Sequence, residues 1–197
     1  MRYYNKIAIV LIVLITSLSS CNNGERYYEY YDNNQVKLSG VIKDGVKQGE
    51  WLELFEDGTK KFKLNYVDGK RHGLSTVWYY TGLDSEERIL SQGNYLNDLK
   101  EGYHQFWHQN GQLKIKGEYK NGNEEGIWYS WHENGQKMTE INFVNGIKQG
   151  EMKTWFENGQ KHREGFYENN RLNGVCKVWD ESGNFIGEES WINGVLE

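Results

Sequence analysis

"WHENGQK" at residues 131–137 returns as "WFENGQK" at 155–161, and "FWHQNGQ" at 106–112 sets Trp107 the same 24 residues ahead of Trp131. An active-site cluster of Trp131, His132 and Glu133 would need only one copy, so the repetition points to structure. Self-similarity at a fixed period is the signature of a repeat architecture. Working outward, a glycine opens each unit at Gly49, Gly73, Gly102, Gly126, Gly150 and Gly174, at intervals of 24, 29, 24, 24 and 24. One unit earlier the frame opens at Glu25, with Tyr30 and Asn33-Asn34 where an apolar residue and a turn are due.

Counting from the opening residue as zero, position nine is Gly58, Gly82, Gly111, Gly135, Gly159 or Gly183, a turn glycine. Position five is Leu54 and then Trp78, Trp107, Trp131, Trp155 and Trp179. Position seventeen is always large and apolar, as in Tyr66, Tyr119 and Tyr167. These aromatics are the expected repeat core. Three residues past position seventeen a second turn begins, from Asp44-Gly45 through Asn145-Gly146 to Asn193-Gly194. Where glycine is missing from either turn, Asn34, Asp98 or Asn170 replaces it. Asn and Asp tolerate the left-handed region best after glycine, so both turns select positive φ, as a two-residue Asn-Gly hairpin does.

Each unit therefore reads as strand, turn, strand, turn, with strands of about six to eight residues. The predicted fold is all-β: an elongated, single-layer antiparallel sheet of tandem hairpins. Seven units are expected at 25–48, 49–72, 73–101, 102–125, 126–149, 150–173 and 174–197. The long interval comes from "LDSEERILSQ" (residues 83–92), either lengthened hairpin arms or a bulged loop. A strict two-residue first turn leaves the apolar positions thirteen and seventeen out of step with position five. A glycine bulge would bring them onto one face, and the register stays open at this point.

The front of the chain is of another kind. Arg2 and Lys6 precede the apolar run Ile7–Ile15, and small residues follow, the order of a secretory signal. The run is too short for a membrane-spanning helix, which needs about 20 apolar residues. Leu18-Ser19-Ser20-Cys21 resembles the bacterial lipobox. That resemblance implies residues 1–21 as a lipoprotein signal, acylation of Cys21 with palmitate-type chains, and 22–24 as a short tether. The localisation expected is exported and lipid-anchored on a bacterial membrane.

Without Arg2 and Lys6 the chain holds 21 basic and 28 acidic residues. An acidic module lacks the basic patch that nucleic acid or anionic lipid requires. Cys176 is the one cysteine besides Cys21, so no disulfide framework holds the units together. Glycine is frequent at 23 residues and proline absent, while 14 Tyr and 8 Trp favour strands joined by glycine turns.

The pattern Gly126, Trp128, Trp131, Asn134-Gly135, Phe143, Asn145-Gly146, Gly150 resembles the MORN repeat, and more closely its bacterial variant, MORN-2 or YwqK antitoxin-like. The resemblance implies stacked antiparallel hairpins serving as a scaffold, an adhesive surface or a membrane-associated module. The units lack the "YEGE" phrase of the eukaryotic repeat, so it does not carry phospholipid binding over.

Candidate chemistry dissolves into the frame. His104 and His108 suggest a metal pair, yet position four past His104 is Tyr31, Phe55, Tyr79, His132, Phe156 or Asp180 in other units, mostly aromatic. Position two holds Tyr27, Trp51, Ser75, Trp128, Met152 and Cys176 beside His104, so Cys176 reads as a small hydrophobe rather than a nucleophile. Asp32, Glu56, Glu133, Glu157 and Glu181 form an acidic edge just before the first turn. An envelope hydrolase built on that edge, or a purely structural spacer, is the alternative reading. The sequence points to no catalytic residue, no metal and no cofactor. The partners expected are the membrane through Cys21, a protein or surface glycan along the array, and a further copy by self-association, with nucleic acid excluded.

Overall fold

The computed structural model describes residues 24–82 and 86–197. The signal segment 1–21 with its lipobox, and tether residues Asn22 and Asn23, lie outside the described residues. The second turn of each unit behaves as its dipeptide dictates. Asn145 and Gly146 stand at φ 50° and 79°, Asp44 and Gly45 at 51° and 78°, the two consecutive positive values of a two-residue hairpin turn. Val144 accordingly pairs with Ile147 and Lys43 with Val46.

The first turn corrects the two-residue reading. In residues 132–136 the amide of Gly135 donates to the carbonyl of His132 at 2.9 Å, and that of His132 to Gln136 at 2.9 Å. Gly135 has φ 84° while Asn134 is absent from the positive-φ residues. This is a three-residue loop with a glycine bulge. A further register shift between Ser130 and Trp131 pairs Ser130 with Thr139 and Trp131 with Lys137. The bulge cancels the extra loop residue: Trp128 pairs with Ile141, so position two, and not position five, shares a face with positions thirteen and seventeen.

From the N-terminus the strands are β1 (Glu25–Tyr30), β2 (Val36–Lys43), β3 (Val46–Leu54), β4 (Lys60–Val67) and β5 (Lys70–Arg71). Then come β6 (Gly73–Trp78), β7 (Ile89–Leu96), β8 (Leu99–Trp107), β9 (Leu113–Lys120), β10 (Asn123–Trp131) and β11 (Lys137–Val144). The last are β12 (Ile147–Trp155), β13 (Lys161–Glu168), β14 (Arg171–Leu172), β15 (Gly174–Trp179), β16 (Phe185–Ile192) and β17 (Val195–Leu196). They form one open antiparallel sheet of 17 strands in hairpin order, with β5 and β6 both paired to β4, and β14 and β15 both paired to β13. The five extra residues of the long unit all sit at the first turn. Trp78 still pairs with Ile89, and the amide of Tyr79 donates to Arg88 at 2.8 Å, so the arms keep their length.

The core lies in a column other than the one the tryptophans suggest. Position two is buried in six successive units: Trp51, Ser75, His104, Trp128, Met152 and Cys176 are all at most 9 % exposed. Trp78, Trp107, Trp131, Trp155 and Trp179 are only half-buried. An odd number of residues separates them from position two, so they point to the opposite face. There, lysines from the preceding unit lie over their rings: Lys60 over Trp78, Lys137 over Trp155 and Lys161 over Trp179, at 5.5, 4.9 and 5.0 Å.

On the buried face the position-two and position-seventeen rings alternate. Consecutive centroids from Tyr95 through His104, Tyr119 and Trp128 to Phe143 are 5.6, 4.9, 4.9 and 6.0 Å apart, all edge-on. Such pairs add about 0.5–1.5 kcal/mol beyond the area they bury. Cations close this face from above: Arg71 over Tyr95 at 4.3 Å, Lys100 over Tyr119 at 4.4 Å and Lys148 over Tyr167 at 5.1 Å. A one-layer sheet thus buries a ring column with its own side chains.

Position fifteen decides what fits at position two of the next unit. A Cβ on Gly40, Gly93 or Gly117 would lie 2.3 Å from Trp51, 2.1 Å from His104 and 2.0 Å from Trp128. Where position fifteen is instead Leu64 or Ile141, the next position two is Ser75 or Met152, small or flexible. Glycine is the seat a flat ring needs.

Candidate functional site

The residues with chemical potential sit on the first-turn rim and in the position-two column. At position eight, Asn134 performs two tasks. Its Oδ1 accepts from the Gln136 amide at 2.9 Å, closing its own loop, and its Nδ2 donates to the carbonyl of Glu157, one unit on, at 2.6 Å. Asn33, Asn110 and Asn158 repeat both bonds. At position six, the polar tip reaches the position-five carbonyl of the next unit. Tyr31 and Tyr79 donate a hydroxyl to Leu54 and Trp107 at 2.8 Å, and His108 and His132 do so through Nε2 to Trp131 and Trp155 at 2.8 and 3.0 Å. A carbonyl only accepts, so both histidines carry their proton on Nε2. The second-turn rim is bridged as well, for example by the Gly146 amide to the Glu124 carbonyl at 2.8 Å.

The candidate pair His104 and His108, set aside from sequence, is engaged in bonds of its own. His104 donates from Nε2 to Asn94 at 2.7 Å, and burial lowers its pKa. Among the described residues no group of three His, Cys, Asp or Glu side chains could hold a metal ion. Cys176 is 2 % exposed and burial pushes its thiol pKa up, which suits packing rather than nucleophilic attack. The acidic edge is real but opens to solvent: Glu133 and Glu157 lie 3.9 Å from Nδ1 of His108 and His132, with their side chains more than four-fifths exposed.

The turn glycines Gly58, Gly82, Gly111, Gly135, Gly159 and Gly183 all adopt positive φ, between 76° and 88°. Tyr119 is the most buried of the aromatics expected as repeat core at positions five and seventeen, and burial, then the nearby Glu124 carboxylate, pushes its pKa up to about 12. An open depression of about 640 Å³ on the ring face is lined by Met138, Thr139, Thr154, Phe156, His162 and Arg163. Phe156 stacks on His162 at 4.2 Å and Arg163 pairs with Glu189 at 3.1 Å, while the buried Thr154 hydroxyl has no hydrogen-bond partner among the described residues. Sequence reading took Asn134 for a turn former and His132 for a flat side chain. Their recurrence every 24 residues was the available signal that they also link neighbours.

The arrangement suits repeated, shallow contact along a length rather than chemistry at a point. The MORN repeat variant family model matches residues 100–121, 124–145 and 148–169, three consecutive units of the 24-residue period. No curated protein matches the chain.

Proposed function

We propose that the chain, whose residues 100–121, 124–145 and 148–169 match the MORN repeat variant, is a non-catalytic scaffold anchored by lipid at Cys21. In this reading it is exported to the bacterial cell envelope and presents an extended surface to a protein or surface glycan. The observation that carries the reading is the fate of the reactive side chains. His104, His108, His132 and Cys176 each fill a slot of the repeat and are spent on packing or on bonds between units. Solenoids offer long surfaces of this kind because every unit contacts only its neighbours.

Two experiments test it. Metabolic labelling with an alkyne palmitate analogue should mark the chain and fail to mark Cys21→Ala, which should also leave the membrane; unchanged labelling and retention would overturn the anchor. Cross-linking in intact cells, followed by capture on the full-length chain, should return a partner in yields above a tagged control. Deleting one unit should lower that yield in part. No capture above the control would overturn the scaffold.

A further inference from the structure

The contact between units is made again and again inside the chain, yet its two ends treat that contact differently. At the C-terminal end each linking position is altered. Asp180 stands where Tyr or His reaches forward, and instead accepts from the Ser182 amide, the Asn184 amide and Asn184 Nδ2 at 3.0, 2.8 and 3.0 Å. Ser182 replaces the bridging Asn. At the seat, position fifteen, stands Glu189, held by Arg163 at 3.1 Å and by the Trp191 indole at 3.1 Å. A ring could not settle there. Unit 174–197 thus presents neither the forward bonds made by His132 and Asn134 nor a glycine seat.

The N-terminal end keeps the contact open. Among the described residues β1 pairs only with β2, so its other edge offers backbone N–H and C=O groups to a further strand. Tyr27 occupies position two, the slot whose ring elsewhere lies on a glycine, and among the described residues no strand lies beneath it. Tyr28 and Tyr30 are exposed on the opposite face. Residues 1–23 contain no glycine to match the seat, and the last full strand of a second copy would bring Glu189.

We propose that the free edge of β1 is a docking site for an extended strand of another protein, one that sets a glycine under Tyr27 and an aromatic residue two positions later. The requirement is read from the chain's own seats, Gly93-Asn94-Tyr95, Gly117-Glu118-Tyr119 and Gly165-Phe166-Tyr167. In strand addition the main chain supplies affinity and alternate side chains supply specificity. The site deepens the scaffold reading and rests on it for the existence of a protein partner.

The test uses the full-length chain in detergent and a labelled peptide copying residues 113–123, which carries the Gly117 seat. Fluorescence anisotropy should show saturable binding, and hydrogen exchange should show new protection at residues 25–30 and none at 185–190. A Gly117→Ile peptide should bind at least tenfold more weakly. A Tyr27→Ser chain should accept the Ile peptide at least as well as the Gly peptide, since Leu64 already sits beneath Ser75 in the array. No binding at millimolar peptide, equal binding of the two peptides to the parent chain, or protection at 185–190 alone would overturn the proposal. Loss of peptide binding with partner capture intact in cells would remove the edge site and leave the scaffold. Edge-specific peptide binding with no capture in cells would support the site and remove the scaffold.

Discussion

Replacing Gly117 by Ala is the most direct probe of the seat. The added Cβ would lie 2.0 Å from Cδ2 of Trp128, whereas the same change at Gly165 meets the Cys176 sulfur at 3.2 Å. The first contact is with a rigid ring, itself wedged between Tyr119 and Phe143 at 4.9 and 6.0 Å. Neither side can yield without moving backbone. Overpacking costs typically about 1–3 kcal/mol, occasionally more, against about 0.5–1 kcal/mol recovered by removing a strand glycine. Gly117→Ala should therefore destabilise by about 2 kcal/mol, and Gly165→Ala by less than about 1 kcal/mol because a thiol can shift. Copying the Leu64–Ser75 pair tests the mechanism itself. Gly117→Leu and Trp128→Ser, combined, should be less damaging than the sum of the two by about 0.5–3 kcal/mol, the range for residues in contact. Urea denaturation followed by far-UV circular dichroism measures all five variants, the two alanine changes, the two single changes of the pair and their combination, without relying on Trp128 fluorescence. Equal costs at Gly117 and Gly165, or strict additivity in the double variant, would refute the seat.

His132→Phe should cost about 1 kcal/mol, the net worth of the hydrogen bond to the Trp155 carbonyl, and His132→Tyr should restore it because Tyr31 and Tyr79 make the same bond; urea midpoints decide, and equal loss in both variants would contradict the linkage. Alkali should weaken the fold through Tyr119. Its folded pKa is raised to about 12 from 10.0, so above pH 10 the unfolded chain loses a proton that the folded chain keeps. Stability then falls as pH rises towards 12, by up to about 1.4 kcal/mol per pH unit for this group, and Tyr119→Phe should flatten the slope measured between pH 9 and 11.

The period, the second turn and the strand order were legible in the sequence because turn chemistry demands particular residues: Asn145-Gly146 admits few other conformations, whereas Asn134-Gly135 turned out to close a three-residue loop. The buried column was harder to see. Trp78, Trp107, Trp131, Trp155 and Trp179 drew attention by size and uniformity, while the true column mixes Trp51, Ser75, His104, Met152 and Cys176. That mixture looks unselective until each member is set beside position fifteen of the unit before it, where Gly or a bulky residue explains it. The face assignment also turned on the bulge between Ser130 and Trp131, a one-residue shift that reverses which side chains point inward. At the rim, Asn134 and His132 were legible as turn and aromatic positions. Their bonds to the next unit were not, since those depend on how closely successive hairpins stack.

The central claim, a solenoid with a 24-residue unit, is tested most directly by two deletions compared by small-angle scattering. Removing 126–149 joins Glu125 to Gly150 and keeps every link in type: Gly117 would then seat Met152, His108 would face the Trp155 carbonyl, and Asn110 the Glu157 carbonyl. Removing 126–137 takes one strand and its turn, and reverses the hairpin order downstream. The account predicts that the first variant stays folded and β-rich and is shorter by about 10 Å, two strand spacings, while the second fails to fold. Equal damage from both deletions, or an unchanged length in the first, would contradict it.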